Sequence, residues 1–178
     1  MTANHVHSGR TRGKLTVPRW LLLLLAVTVW PFLVFLFHGL LPWILSGTAR
    51  RVGWVEHRPG YWNWVGLGLV GPGVIGIVWF WFVHTRQALT QKRVELKSPP
   101  DYLLIGGPYQ YSRNPAYLAA VTLWLGWVIF YGSWLVLVGT LLLWLILNYI
   151  VIPREERGLE SRHKEAYCQY VREVRRWF

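Results

Sequence analysis

The sequence predicts an all-α membrane protein: a polytopic helix bundle of about four transmembrane helices, with a helical hairpin and an amphipathic cytoplasmic helix at the carboxy end. Three observations predict it. The stretches Trp20 to Ala49, Pro59 to Thr85 and Ala116 to Ile152 contain no Asp, Glu, Lys or Arg, and each is long enough to cross a bilayer. The chain has 13 Trp, with Trp20, Trp43, Trp62 and Trp64 near the ends of those stretches, where an aromatic interface belt belongs. Built as one helix, the third stretch would be about 55 Å long, nearly twice a hydrocarbon core of ~30 Å. It must therefore fold back, and Tyr131-Gly132-Ser133 is the place to turn.

Residues 1–16 are polar and basic without periodicity and read as a disordered tail, leaving 17–178 as a single membrane domain. The first span is expected over about 18–45. Arg10, Arg12, Lys14 and Arg19 precede it like the charged region of a leader. The apolar run outlasts a leader's 7–15 residues and no small-residue cleavage site precedes Pro42, so a retained helix bent near Pro31 is expected. A short loop with Arg50, Arg51, Glu56 and Arg58 ends at the turn pair Pro59-Gly60. The second span is expected over about 61–84. Its Gly68, Pro72 and Gly76 share one helical face, a pattern that lets membrane helices approach closely. These glycines sit inside a helix and not between a strand and a helix, so no dinucleotide fold is implied.

The second loop runs from Thr85 to Asn114. Arg86 to Glu95 can prolong the second span, Ser98-Pro99-Pro100-Asp101 forces a turning backbone, and Tyr102-Leu103-Leu104-Ile105 is apolar enough to lie in the interface. The hairpin follows with spans over 115–131 and 133–152. The tail, 154–178, shows Leu159, His163, Tyr167, Tyr170, Val171, Val174 and Trp177 at spacings of three and four, an amphipathic helix. Its mixed acids and bases favour packing across the mouth of the bundle over lying on lipid.

The net charge of +11 has a membrane explanation. Of the 19 Lys and Arg, four precede the first span, three lie in the first loop, five in the second, none at the hairpin tip and seven in the tail. An even number of spans puts 16 of them on one side, and the positive-inside rule makes that side, with both termini, cytoplasmic. The bases can also hold anionic lipid headgroups, and their spread beside membrane spans argues against nucleic acid. Cys168 stands alone, so neither an intrachain disulfide nor a cysteine metal site is possible, and the six His form no metal signature. No metal is expected.

Folding the third stretch into a hairpin returns Arg113-Asn114-Pro115 and Pro153-Arg154-Glu155-Glu156 to one face of the membrane at similar depth. Each cluster has an ordinary structural explanation. Asn114 and Pro115 suit the cap and first position of a helix, and Pro153 can open a helix whose first turn favours Glu155 and Glu156. Two adjacent acids just beyond a span on the basic side are less routine. Their convergence with Arg113 and Asn114 marks a site.

Gly107-Pro108-Tyr109-x-Tyr111-x-Arg113-Asn114-Pro115-x-Tyr117, a hairpin, then Arg154-Glu155-Glu156-x-x-Leu159-Glu160 and Tyr167-x-x-Tyr170-x-x-x-Val174-x-Arg176-Trp177 resembles the isoprenylcysteine carboxyl methyltransferase and phospholipid methyltransferase family. The resemblance covers about residues 97 to 178. It implies a small membrane enzyme that uses S-adenosylmethionine without a Rossmann domain, its cofactor held at the cytosolic helix ends beneath the carboxy-terminal segment. By position, Tyr109, Asn114, Tyr117, Glu155 and Glu156 would line the cofactor site beside Arg113, with Tyr167 and Tyr170 closing it. The carboxylates suit a sulfonium and an ammonium, and aromatic faces can stack adenine or meet the sulfonium. Arg113 or Arg154 could orient a carboxylate or phosphate acceptor.

This chain departs from the family pattern in four places. It has Asn114 where many relatives carry His and Ala119 where a Gly is common. His163-Lys164 replaces the usual Phe-Gly, and Arg175 replaces a Pro. The implied function is methyl transfer to a lipid-like or amphiphilic acceptor at the cytoplasmic interface, as in isoprenylcysteine carboxyl O-methylation, with phospholipid N-methylation as the alternative. An NADPH-dependent enzyme of the sterol-reductase type and a non-catalytic membrane assembly or transport factor are the other readings.

Overall fold

Apolar length, Gly spacing and two prolines decide where the chain crosses and turns. The structure, a computed structural model, describes residues 18–47, 50–90 and 103–178. The expected amino-terminal tail and the Ser98-Pro99-Pro100-Asp101 turn lie outside the described residues. Helix α1 (Arg19–Phe35) passes through a five-residue π turn (Leu36–Leu40) into α2 (Leu41–Gly47). A two-stranded hairpin, β1 (Trp54–Val55) and β2 (Arg58–Pro59), leads to the short α3 (Tyr61–Trp64) and the long α4 (Leu67–Thr90). A 3-10 turn (Gly107–Gln110) precedes α5 (Pro115–Tyr131), which turns into α6 (Trp134–Ile146). A second π turn (Leu147–Val151) joins α6 to α7 (Ile152–Glu173).

Three helical runs, Leu23–Gly47, Tyr61–Arg86 and Trp134–Glu173, are long and apolar enough to cross a membrane, and Pro115–Tyr131 is a shorter apolar helix. The bundle is all-helical apart from the small β hairpin. Its two-residue turn, Glu56-His57, has φ of 47° and 64°, the paired left-handed geometry that matches strand twist.

The centre of the bundle is the antiparallel pair α4 and α5. Ile77, Ala119, Ala120 and Leu123 form its core. Of the face expected for α4, Gly76 packs closely and Gly68 does not. A methyl group on Gly68 would meet nothing, whereas one on Gly73 would sit 2.7 Å from the Leu123 Cα and one on Gly76 2.6 Å from the Ala119 Cβ. A methyl on Gly66 would strike the Gly126 carbonyl oxygen. The contact stripe is therefore Gly66, Gly73 and Gly76. It runs at spacings of seven and three and spans an arc of about 80°, as the expected set does, but on a rotated face.

The hairpin turns where expected. Gly132 adopts φ 56° as the left-handed cap of α5, and its N–H donates to the Val128 carbonyl at 2.9 Å. Its own carbonyl accepts from the Val52 N–H at 2.8 Å. Asn63, buried in α3, clamps this end further: its Nδ2 donates to the Val52 and Ile129 carbonyls, and its Oδ1 accepts from the Gly60 N–H. Trp54 Nε1 donates to the Phe130 carbonyl, and the Arg51 guanidinium lies 4.4 Å from the Trp54 ring. The first loop thus plugs the hairpin tip.

Two expectations are corrected at the other end. Pro153 does not open a new helix, because the chain stays helical from α6 through the second π turn into α7. Nor does the tail remain helical to residue 178: α7 stops at Glu173, and Val174 turns extended at φ −119°, ψ 128°. Trp177 therefore belongs to an extended strap and not to a helix face. The irregularity of the first span falls at the π turn Leu36–Leu40, while Pro31 lies within α1.

The α4 stripe gives a direct test. Gly73→Ala should lower the thermal stability of the detergent-solubilised protein, with an overpacking cost of about 1–3 kcal/mol. Gly68→Ala should leave melting unchanged or slightly raised. Equal effects of the two, read by size-exclusion after heating, would contradict the assigned face.

Candidate functional site at the base of the hairpin

Asn114 occupies the cap position of α5 and Pro115 its first turn, as expected, but the Asn114 side chain makes no capping bond. Its Nδ2 donates instead to the Arg176 carbonyl at 3.0 Å, and Ser112 Oγ donates to the same oxygen at 3.2 Å. The Arg113 N–H donates to the Arg175 carbonyl at 3.0 Å. Three consecutive residues at the start of α5 therefore grip the strap 174–178. Trp177 fastens its far end, its Nε1 donating to Asn148 Oδ1 at 3.2 Å within the second π turn.

The two carboxylates are not equivalent. Glu156 lies between Arg113, at 3.2 Å, and Arg176, at 2.6 Å, with its side chain only 19% exposed. Arg176 binds it through two nitrogens, the paired geometry that makes guanidinium–carboxylate contacts strong and directional. Glu155 is exposed and accepts the Tyr117 hydroxyl at 2.7 Å. Since α6 runs without a break into α7, neither acid sits at a free helix amino terminus. Their position is explained by side-chain partners and not by the helix dipole.

Tyr167, Tyr170 and Val174 form a small core against Leu103, Tyr109 and Leu159, and Tyr170 Oη donates to the Tyr109 carbonyl at 2.7 Å. Burial pushes the Tyr170 phenol up to about 12. Burial also raises Tyr167, with Glu156 adding to the shift and Arg113 opposing it. Both phenols stay neutral at physiological pH. Lys164, at φ 39°, breaks the regular course of α7 one turn before Tyr167.

These pieces enclose a cavity of about 630 Å³ between the ends of α4, α5 and α7. All nine residues singled out from the sequence line it: Tyr109, Arg113, Asn114, Tyr117, Arg154, Glu155, Glu156, Tyr167 and Tyr170. Sequence reasoning missed Phe80 and His84 from α4, Leu103 and Leu104 from the second loop, and Arg162 from α7. It gave Arg176 no separate role, although Arg176 holds both Glu156 and the strap. His84 ends an apolar span in the manner of an interface residue, which hides it. Arg162 could have been found, being two helical turns beyond Arg154. Among the described residues, no three His, Cys, Asp or Glu are grouped to hold a metal ion.

The fold and the cavity define a polytopic membrane protein with a polar, aromatic pocket at one end of its helices. The chain belongs to the phospholipid methyltransferase family, which it matches over residues 62–166. It is therefore a methyltransferase of the membrane, and its family points to a lipid as acceptor. The matched region holds α4, the hairpin and the first part of α7, while Tyr167, Tyr170 and the strap lie beyond it. A protein of Haemophilus influenzae with no described function is 36% identical over 61 residues, which cover 34% of this chain and 97% of that relative. No solved structure matches.

Two expectations follow for stability. Glu156→Gln leaves Arg113 and Arg176 facing each other without a counter-charge and should cost on the order of 3 kcal/mol. Glu155→Gln, exposed and still able to accept from Tyr117, should cost almost nothing; melting of the two variants separates them. The second expectation concerns pH. Because the folded Tyr170 phenol titrates above its unfolded value of ~10, its contribution is complete below pH ~10 and falls as pH rises towards about 12. Proteolysis of the strap should accelerate over that window, and Tyr170→Phe should flatten the dependence.

Proposed function

We propose that the cavity binds S-adenosylmethionine and that the chain transfers its methyl group to a lipid-like acceptor at the cytoplasmic interface. The observation that carries the reading is the convergence of the family's motif residues on one cavity. That cavity has two carboxylates, guanidinium groups and aromatic rings on its walls. Its size of about 630 Å³ falls within the ~300–1,000 Å³ of small-molecule sites.

The residues fit the cofactor in three respects. Arg113 Nε is buried and has no partner among the described residues, a donor suited to the carboxylate of an amino acid. Glu155 retains acceptor capacity for an ammonium, since it takes only the Tyr117 hydroxyl. Tyr109 and Tyr117 bring aromatic rings to the same walls. Glu156 differs: engaged by two guanidiniums, it serves as the post that fixes Arg113 and the strap. Asn114 likewise acts through the strap, its amide committed to the Arg176 carbonyl.

S-adenosylmethionine, when bound, supplies a methyl group already activated on a sulfonium. What the protein must add is alignment and exclusion of water. The Tyr167–Tyr170–Val174 core and the strap exclude water from the side away from the membrane. Arg154 and Arg162 line the same cavity and can orient a carboxylate or phosphate on the acceptor. The clustering of bases in the sequence at this end supports a cytoplasmic location for it and for both termini by the positive-inside rule.

Calorimetric titration of the purified chain with S-adenosylmethionine and, separately, with NADPH tests the reading. Binding of the first alone is expected, and Glu155→Gln should weaken it by about tenfold, the loss of one charge-assisted contact. Binding of NADPH alone would support a reductase, and binding of neither would remove the enzymatic reading of the cavity.

A further inference from the structure

A second cavity, of about 450 Å³, opens beside the π turn Leu36–Leu40. It shares no lining residue with the first. Tyr131, at the hairpin tip, lines it together with His38 and lies sixteen residues along α5 from Pro115, which lines the first, about 24 Å at 1.5 Å per residue. Its walls are otherwise apolar and aromatic, among them Val34, Phe35, Trp43 and Leu123. Methyl transfer at the other end of the bundle makes no use of it.

The hydrogen bonding of His38 fixes what it offers. Trp124, almost fully buried, donates its indole N–H to His38 Nδ1 at 3.0 Å. An indole nitrogen can only donate, so Nδ1 carries a lone pair, and the neutral ring bears its proton on Nε2. Trp127 donates to the His38 carbonyl at 2.7 Å. The π turn changes the carbonyl register at this point, and such turns inside helices accompany functional sites. His38 is therefore gripped at ring and backbone by two tryptophans. No described residue accepts from Nε2, and none bonds the Tyr131 hydroxyl. A polar hydrogen left without an acceptor at membrane depth is costly, and polar side chains held there mark binding sites.

We propose that this cavity is a binding site for a neutral, apolar lipid carrying one carbonyl or hydroxyl oxygen, which accepts from His38 Nε2–H and meets the Tyr131 hydroxyl. An anionic headgroup is disfavoured, because His38 is held neutral and Arg51, the cation over the Tyr131 ring, is committed to Ser46, the Trp54 face and the Tyr131 face. The aromatic walls suit an unbranched chain or a ring equally. The oxygen is what selects.

The test uses the full chain in nanodiscs, photolabelled with a diazirine-bearing fatty alcohol and mapped by peptide mass spectrometry. Labelling is expected within 34–43 and 123–131, displaced by dodecan-1-ol about tenfold more effectively than by dodecane, the worth of one hydrogen bond made where water cannot compete. Tyr131→Phe, which keeps the ring, should reduce that preference, and His38→Phe should abolish it. Equal displacement by alcohol and alkane in the unaltered protein would overturn the proposal and leave the cavity as apolar surface filled by bilayer chains. That comparison needs no variant to fold. Calorimetry with S-adenosylmethionine on the same preparation is independent of the outcome, so failure here does not touch the methyl-transfer reading.

Discussion

The ion triad Arg113–Glu156–Arg176 is the contact on which the architecture of the hairpin base depends. It joins three parts of the chain: the segment just before the cap of α5, the start of α7 and the carboxy-terminal strap. A carboxylate with two guanidiniums is stable here because all three groups keep some solvent exposure, so desolvation is partial. Arg176 is about one-third exposed and Glu156 about one-fifth. Without the triad the strap would be held by neutral hydrogen bonds at Arg113 N, Ser112, Asn114 and Trp177, each worth only about 1 kcal/mol net. The cavity wall formed by Tyr167 and Tyr170 depends on the same closure, since Val174 packs with them.

The two ends of the hairpin are organised by opposite means. At the tip, Asn63, Trp54 and Arg51 lock the first loop onto the hairpin turn through hydrogen bonds and ring contacts. At the base, charged side chains and a strap enclose space. Both π turns take part in this division. One turns His38 towards Trp124 and Trp127, and the other presents Asn148 to Trp177. In each case a polar side chain in an apolar helix is held by an indole N–H, a donor that brings its own apolar bulk and so costs little to bury.

Much of this was legible in the sequence. The length of an uncharged run forced the hairpin, Gly132 marked its turn, and the return of two polar clusters to one level followed from geometry. Geometry brought forward the Arg113-Asn114 and Arg154-Glu155-Glu156 clusters, the family resemblance added the four tyrosines, and all nine line one cavity. What was not legible depended on where individual side chains point. Adjacent Glu155 and Glu156 look alike in sequence, yet residues one apart on a helix face directions about 100° apart. One therefore meets Tyr117 and the other two arginines. The periodicity of the tail continued through Trp177, but Asn114 and Ser112 offer its last residues better backbone partners than another helical turn would. Gly68, Pro72 and Gly76 formed the tidier pattern, but the stripe that packs is set by the rotation of α4 against Leu123 and Ala119, which spacing alone leaves free.

The central claim is that the triad and strap enclose a pocket for S-adenosylmethionine. The most direct measurement is an experimental structure of the full chain with S-adenosylhomocysteine. The account predicts ligand density between α4, α5 and α7, with its amino-acid end near Arg113 and Glu155, and Glu156 still bound by Arg113 and Arg176. Density elsewhere in the bundle, or a Glu156 released from Arg176 to meet the ligand's ammonium, would contradict it.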